Sequence, residues 1–326
     1  MHSTANSRQQ RLAGFACLIL FAILSLHTTR ARCDDAVQMT FPTGDRSDSE
    51  PAWSTAGDLI AFTATDIDFD LGLVVSTINV ITGTAVPQPG LFPGQPTGTN
   101  AHASWSPDGA QIAYAQVIGP SDRGLVVHSE SMSGGTRIVE GLVLDPDWSP
   151  VSDRIVYTRF EMSGGDSDLW IVSSDGSNPT QLTSGPANDA EPAWSPDATT
   201  IAFSSDRSGN RDLWLIPSAG GTPTRLTTNA SLESTPAWSP DGRWIAFGSN
   251  RDGPFQDIWI VRVSTGVEMR VTDDFANDVQ PEWSPDGQRI VFRSGRSGNA
   301  ALFRIEVRML VEVQSTTMGN LKGLYR

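Results

Sequence analysis

Pro236-Ala237-Trp238-Ser239-Pro240-Asp241-Gly242-Arg243-Trp244-Ile245-Ala246-Phe247 joins a tryptophan, a Ser-Pro-Asp-Gly tetrapeptide and an apolar triplet that begins seven residues after the tryptophan. Ser-Pro-Asp-Gly suits a type I turn: Ser caps position i, Pro presets φ at i+1, Asp tolerates i+2, and Gly accepts the positive φ that closes such a hairpin. The stretch therefore reads as two strands joined by a tight turn. Matching tryptophans stand at Trp53, Trp105, Trp148, Trp194 and Trp283, so successive copies lie 52, 43, 46, 44 and 45 residues apart. Each carries its own triplet at the same offset, as in Ile60-Ala61-Phe62, Ile112-Ala113-Tyr114 and Ile290-Val291-Phe292. A period in the forties built of strand and turn residues is the signature of a β-propeller in which each copy is one blade.

Two further apolar runs complete a copy. Leu213-Trp214-Leu215-Ile216 and Ile258-Trp259-Ile260-Val261 follow polar, Gly-rich loops, and Arg225-Leu226-Thr227 and Arg270-Val271-Thr272 end their copies. Four short strands per copy predict an all-β fold, a six-bladed β-propeller of four-stranded antiparallel blades. The last copy lacks a Leu-Thr strand of its own, and Val37-Gln38-Met39-Thr40 looks like that strand displaced to the other end of the chain. The ring would then close by pairing of the N-terminal strand with the last blade, leaving no exposed edge at the seam. Leu310 to Val313 is the competing source of that strand.

The Pro-x-Trp-Ser-Pro-Asp-Gly, Ile-Ala-Phe, Asp-Ile-Trp and Leu-Thr series, as it stands at Pro236 to Phe247, Asp257 to Trp259 and Arg270 to Thr272, resembles the TolB-type propeller repeat over Val37 to Val307. The resemblance implies a periplasmic, non-catalytic scaffold whose channel mouth receives a protein partner. Similar repeats also form the propeller that gates prolyl-oligopeptidase-like peptidases, and a cation-dependent sugar- or lactone-active propeller is a further alternative.

Ahead of the repeats, Arg8 and Arg11 precede an apolar stretch from Leu12 to Leu26, so residues 1–33 read as a secretory signal, removed on export to the periplasm or the exterior and leaving no stable membrane insertion. Cys33 is the one cysteine that could survive cleavage, so no intramolecular disulfide is expected. Residues 308–326, with the only lysine, Lys322, read as a mobile tail. A formal net charge of −14 argues against nucleic acid and for a protein partner with a basic patch.

No H-E-x-x-H pair and no G-x-S-x-G elbow occurs, and no catalytic residue or obligatory cofactor is expected. The repeated tryptophans read as packing between blades, with Trp244, out of register, as the one expected to be exposed. Innermost strands carry Asp48, Asn100, Val143, Asp189, Glu233 and Asp278 five residues before the tryptophans, and Glu50, His102, Asp145, Glu191, Thr235 and Gln280 three before. Repeat symmetry predicts that Asp48, Glu50, Asn100, His102, Asp145, Asp189, Glu191, Glu233 and Asp278 form the binding ring at the channel mouth, attractive to cationic side chains or to Ca²⁺. Asp66-Ile67-Asp68-Phe69-Asp70 superficially resembles a calcium loop without the Gly and distal Glu of an EF-hand.

Overall fold

The computed structural model describes residues 36–42, 47–65, 72–78, 85–87, 99–117, 123–129, 134–161 and 165–307. The expected signal, the tail with its alternative closing strand, and the 66–70 loop lie outside these residues. Six four-stranded antiparallel sheets follow one another, and each is a blade. In the fifth, inner strand Glu233–Trp238 pairs with Trp244–Ser249, that with Asp257–Arg262, and that with outer strand Glu268–Arg270. Each inner strand packs against the next, and the last, Asp278–Trp283, against the first, Ser47–Trp53, so the ring is closed.

Local chemistry explains the constant spacing. The Ser239 hydroxyl donates to Asp241 Oδ1 at 2.6 Å and accepts from Trp244 N–H at 3.0 Å, while Gly242 N–H reaches Ser239 O at 2.9 Å. The same set recurs at Ser106, Ser195 and Ser284. Gly242 has φ of 69°, and a β-carbon there would lie 3.4 Å from Pro196 Cγ of the preceding blade. Glycine thus serves both the left-handed turn and the contact between neighbouring turns.

Threonines of the Leu-Thr strands accept a backbone N–H from the third strand: Thr227 from Leu213 at 3.0 Å and Thr272 from Ile258 at 2.9 Å. Thr40 accepts the equivalent bond from Leu302 at 2.9 Å, and Val37–Gln38 pairs with Arg304 and Phe303. The N-terminal strand therefore completes the last blade.

Apolar clusters lie between blades. Trp194, Ile201 and Phe203 of the fourth pack on Val156, Leu169 and Ile171 of the third, and Met39, Val291 and Leu302 of the sixth meet Ile60 and Phe62 of the first. Trp105, Trp148, Trp194 and Trp283 are buried, which supports their reading as packing residues. Trp244 corrects the expectation of exposure: it is 3% exposed and lies under the guanidinium of Arg262.

Candidate functional site

Every inner strand carries a β-bulge at the same place, with a register shift between the fourth and first residues before its tryptophan. The residue inside the bulge, three before the tryptophan, is left-handed in all six blades: φ is 55° at Glu50, 55° at His102, 50° at Asp145, 56° at Glu191, 51° at Thr235 and 56° at Gln280. None is glycine, so the conformation is strained and must be held by its surroundings. Hydrogen bonds between blades hold it. Glu50 N–H donates to Gln280 Oε1 at 3.2 Å, His102 N–H to Glu50 Oε2 at 2.9 Å, Glu191 N–H to Thr158 Oγ1 at 3.1 Å and Thr235 N–H to Glu191 Oε2 at 2.8 Å. These residues, with the prolines and tryptophans that follow them, wall a channel cavity of about 380 Å³.

His102 lies between two carboxylates, its Nε2 3.1 Å from Glu50 Oε1 and its Nδ1 2.6 Å from Asp145 Oδ1. Burial by itself would lower its pKa, but the charges of Asp145 and Glu50 outweigh burial and raise it to about 9. An imidazolium bridging two acids is the result. Asp145 shows the reciprocal effect: burial pushes its carboxyl up, but the His102 charge and hydrogen bond hold it below the usual carboxylate range. Glu191 is pushed up by burial and by the Asp145 charge, against the pull of Arg211, whose guanidinium is 3.6 Å away.

A second polar layer sits immediately before the tryptophans. Four blades place Ala52, Ser104, Ala193 and Ala237 there; the third and sixth place Asp147 and Glu282, which the ring order sets on opposite walls. Asp147 accepts Trp194 N–H at 2.7 Å and the Ser104 hydroxyl at 3.1 Å, yet burial pushes its carboxyl up to about 6. Burial, followed by the charge of Asp147, pushes Glu282 up to about 8. Among the described residues no group of three or more His, Cys, Asp or Glu is arranged to hold a metal ion.

Residues 99–235 match a TolB beta propeller domain model and residues 210–321 a Tricorn protease N-terminal beta propeller domain model. A TolB homolog from Chlorobium chlorochromatii is 33% identical over 103 residues, 31% of this chain and 22% of that protein. The solved structure of a putative TolB from Agrobacterium tumefaciens superposes with a TM-score of 0.60 at 18% identity, covering 79% of this chain and 90% of the other. The propeller is TolB-like. The chain spans about a fifth of the length of the curated relatives it matches. The same fold occurs in an enzyme, the gluconolactonase from Xanthomonas campestris, with a TM-score of 0.61 at 14% identity, covering 85% of this chain and 91% of that one.

In the TolB-like propeller the expected ring divides. Glu50, His102, Asp145 and Glu191 line the channel, whereas Asp48, Asp189, Glu233 and Asp278 are buried away from it. Asp189 pairs with Arg207 at 2.6 Å, Asp278 with Arg296 at 2.7 Å and Glu233 with Arg251, each arginine stacking on two aromatic rings of its blade. These three acids bind their own blades together. Val143 at the same position belongs to an apolar cluster, and the side chain of Asn100 lies outside the described residues. Asp147 and Glu282 went unnoticed in the sequence; their only signal is an acid where the other copies place Ala or Ser.

The acid pair makes stability depend on pH. Both carboxyls have folded pKa values above their ordinary ones, so the folded state binds more protons and loses stability as pH rises through those values. For Glu282 the loss develops between its ordinary 4.5 and about 8. Glu282→Gln should melt about 2–6 °C above the unmodified protein at pH 8.5, a size reduced by solvent in the open channel. The two should converge at pH 4.5 in calorimetric scans, and a constant difference across that range would refute this assignment. His102 does not confuse the comparison: its stabilisation, present in full below 6.5 and lost as pH rises through about 9, is common to both proteins.

Proposed function

We propose that this TolB-like propeller is an exported, non-catalytic scaffold that receives a positively charged protein segment in its channel at the His102 cluster. The observation that carries the reading is the imbalance of charge at the wall: the carboxyls of Glu50, Asp145, Asp147 and Glu191 line the channel against two cations, the His102 imidazolium held by Glu50 and Asp145 and the Arg211 guanidinium beside Glu191. In a narrow low-dielectric channel such a surplus concentrates cationic groups. The sequence reading of residues 1–33 and the TolB likeness support periplasmic placement.

The test is a photo-crosslinking amino acid at Thr235, on the channel wall, with a control at Thr224, exposed on the outer strand of the fourth blade, each exposed to envelope extract. One discrete protein adduct at Thr235, reduced severalfold by Glu191→Gln and by 0.5 M salt and absent at Thr224, is the expected result. The same pattern at both positions, or none at Thr235, overturns the scaffold reading. A sugar- or lactone-active propeller with a bound cation is the second reading, prompted by the opposed acids Asp147 and Glu282. Calorimetric titration with calcium discriminates: saturable, EDTA-reversible binding lost in Asp147→Asn would favour the second reading over the first.

A further inference from the structure

Among the described residues seven large apolar side chains are exposed, and four of them, Leu232, Phe255, Phe275 and Phe41, fall in one sector of the ring. Leu232 and Phe275 lie on the connections that enter the fifth and sixth inner strands, Phe255 on the loop 250–256 of the fifth blade, and Phe41 on the connection from the last blade to the first. Strand order brings all four to the end of the ring opposite the Ser-Pro turns. Polar bonds set their loops side by side. Leu232 N–H donates to Asn250 Oδ1 at 3.0 Å, and Gln256 N–H, next to Phe255, to Asn277 Oδ1 at 2.9 Å. Arg296 pairs with Asp274 at 2.7 Å, and Gln38 Nε2 reaches Ser297 Oγ at 3.5 Å. The apolar groups therefore form one arc across the fifth and sixth blades.

The repeat does not require them. Where the sixth inner strand is preceded by Phe275, the equal-length connections of the fourth and fifth have Pro186 and Ala230, and where Leu232 stands the others have Asn188 and Asn277. The loop 250–256 is one residue longer than its counterpart 206–211 and brings in the exposed pair Pro254-Phe255. Phe275 is 93% exposed, so nearly all of its apolar area is available for burial against another molecule.

An acidic rim selects the partner. Arg270 is shared by Asp252 at 3.4 Å and Asp257 at 2.6 Å, and Arg296 by Asp274 and Asp278, both at 2.7 Å. Each arginine thus meets two carboxylates, and Asp273 adds another exposed acid. Such a rim repels an anionic membrane, and a second copy docking through the same arc would set acid against acid. A protein surface with an apolar centre and a basic border meets both the arc and its rim. We propose that this sector is a second docking surface, which binds a protein partner through apolar side chains bordered by lysine or arginine. It lies outside the channel and goes beyond the channel reading.

The experiment uses the whole protein and three fluorescent helical peptides of about eighteen residues, five turns, read by anisotropy. One has a leucine face bordered by lysine, one a leucine face bordered by glutamate, and one an alanine face bordered by lysine. The first should bind at least tenfold tighter than either of the others. Phe275→Ser, at an exposed position where the melting temperature should not change, should weaken it about tenfold, the burial of one phenylalanine. Asp252→Asn with Asp273→Asn should weaken it severalfold and flatten its salt dependence. Glu191→Gln, in the channel, should leave it unchanged. Equal binding of the two lysine peptides, indifference to Phe275→Ser, or no binding of any peptide would each overturn the proposal. Adhesion to phosphatidylglycerol vesicles, or self-association in sedimentation, either one abolished by Phe275→Ser, would assign the arc to another occupant and overturn it too. Binding lost in Glu191→Gln but indifferent to Phe275→Ser would put the peptide in the channel, so the scaffold reading would stand while this surface fails.

Discussion

Arg251→Ala is expected to destabilise the protein by about 3–5 kcal/mol, the effect of removing one partner from a buried ion pair. Arg251 is 8% exposed, pairs with Glu233 and Glu268, donates from Nε to Ser249 Oγ at 3.1 Å, and stacks 4.4 Å over Trp259 and 5.4 Å over Phe247. Glu233 is fully buried; burial already pushes its carboxyl up to about 7 against the pull of the arginine charge. Without the guanidinium it rises further, so Glu233 takes up a proton on folding. The charge part of the destabilisation should therefore develop as pH rises above about 7 and be absent at lower pH, where Glu233 is protonated in both folded proteins. Urea titrations at pH 8 and pH 5 read this directly. Adding Glu233→Gln to Arg251→Ala should recover a substantial part of the loss at pH 8, because the uncompensated charge disappears. A double variant no more stable than the single one would show that stacking on Phe247 and Trp259, rather than charge, dominates this cluster.

The same group shows why the fold was legible in the sequence and the site only in part. Spacing between Trp238 and Ile245 is fixed by a turn whose every bond comes from Ser239, Asp241 and Gly242, and local chemistry of that kind survives from copy to copy. Strand closure could also be read, since Met39-Thr40 keeps the Leu-Thr chemistry that the last copy lacks. Positions five and three before the tryptophan are two apart, and the two-residue period of a strand would put Glu233 and Thr235 on one face. The left-handed bulge at Thr235, with φ of 51°, breaks that period: Thr235 turns to the channel and Glu233 goes into the blade to Arg251. Because its residues are Glu, His, Asp, Glu, Thr and Gln rather than Gly, nothing in the sequence announces a positive φ. Asp147 and Glu282 were hidden for another reason: each is a single departure from a repeat, and repeats are read through what recurs.

Met39→Ala is expected to cost about 2–5 kcal/mol, although Met39 lies only a few residues inside the described chain. Its side chain is fully buried among Ile60 and Phe62 of the first blade and Val291 and Leu302 of the sixth, so truncation leaves a cavity on the seam itself. Thr40 adds a second hold, because Leu302 N–H, bonded to Thr40 Oγ1 across 262 residues of sequence, would be left buried and unpaired in Thr40→Val. Position alone does not distinguish this strand: Val271 and Thr272 occupy the same places in the fifth blade and are equally buried. Connectivity does. Losing the fifth blade's outer strand loosens one blade within a closed ring, whereas losing Met39 and Thr40 opens the ring between its first and last members. Val271→Ala is therefore the matched control for Met39→Ala. Both should lower the urea midpoint, but only Met39→Ala should make the Asn299–Glu306 strand the first segment to exchange its amide hydrogens and the first cut by protease. If both variants exchange alike across the sixth blade, closure by the N-terminal strand contributes no more than any other outer strand, and the seam is held by the tryptophan layer and the inner strands instead.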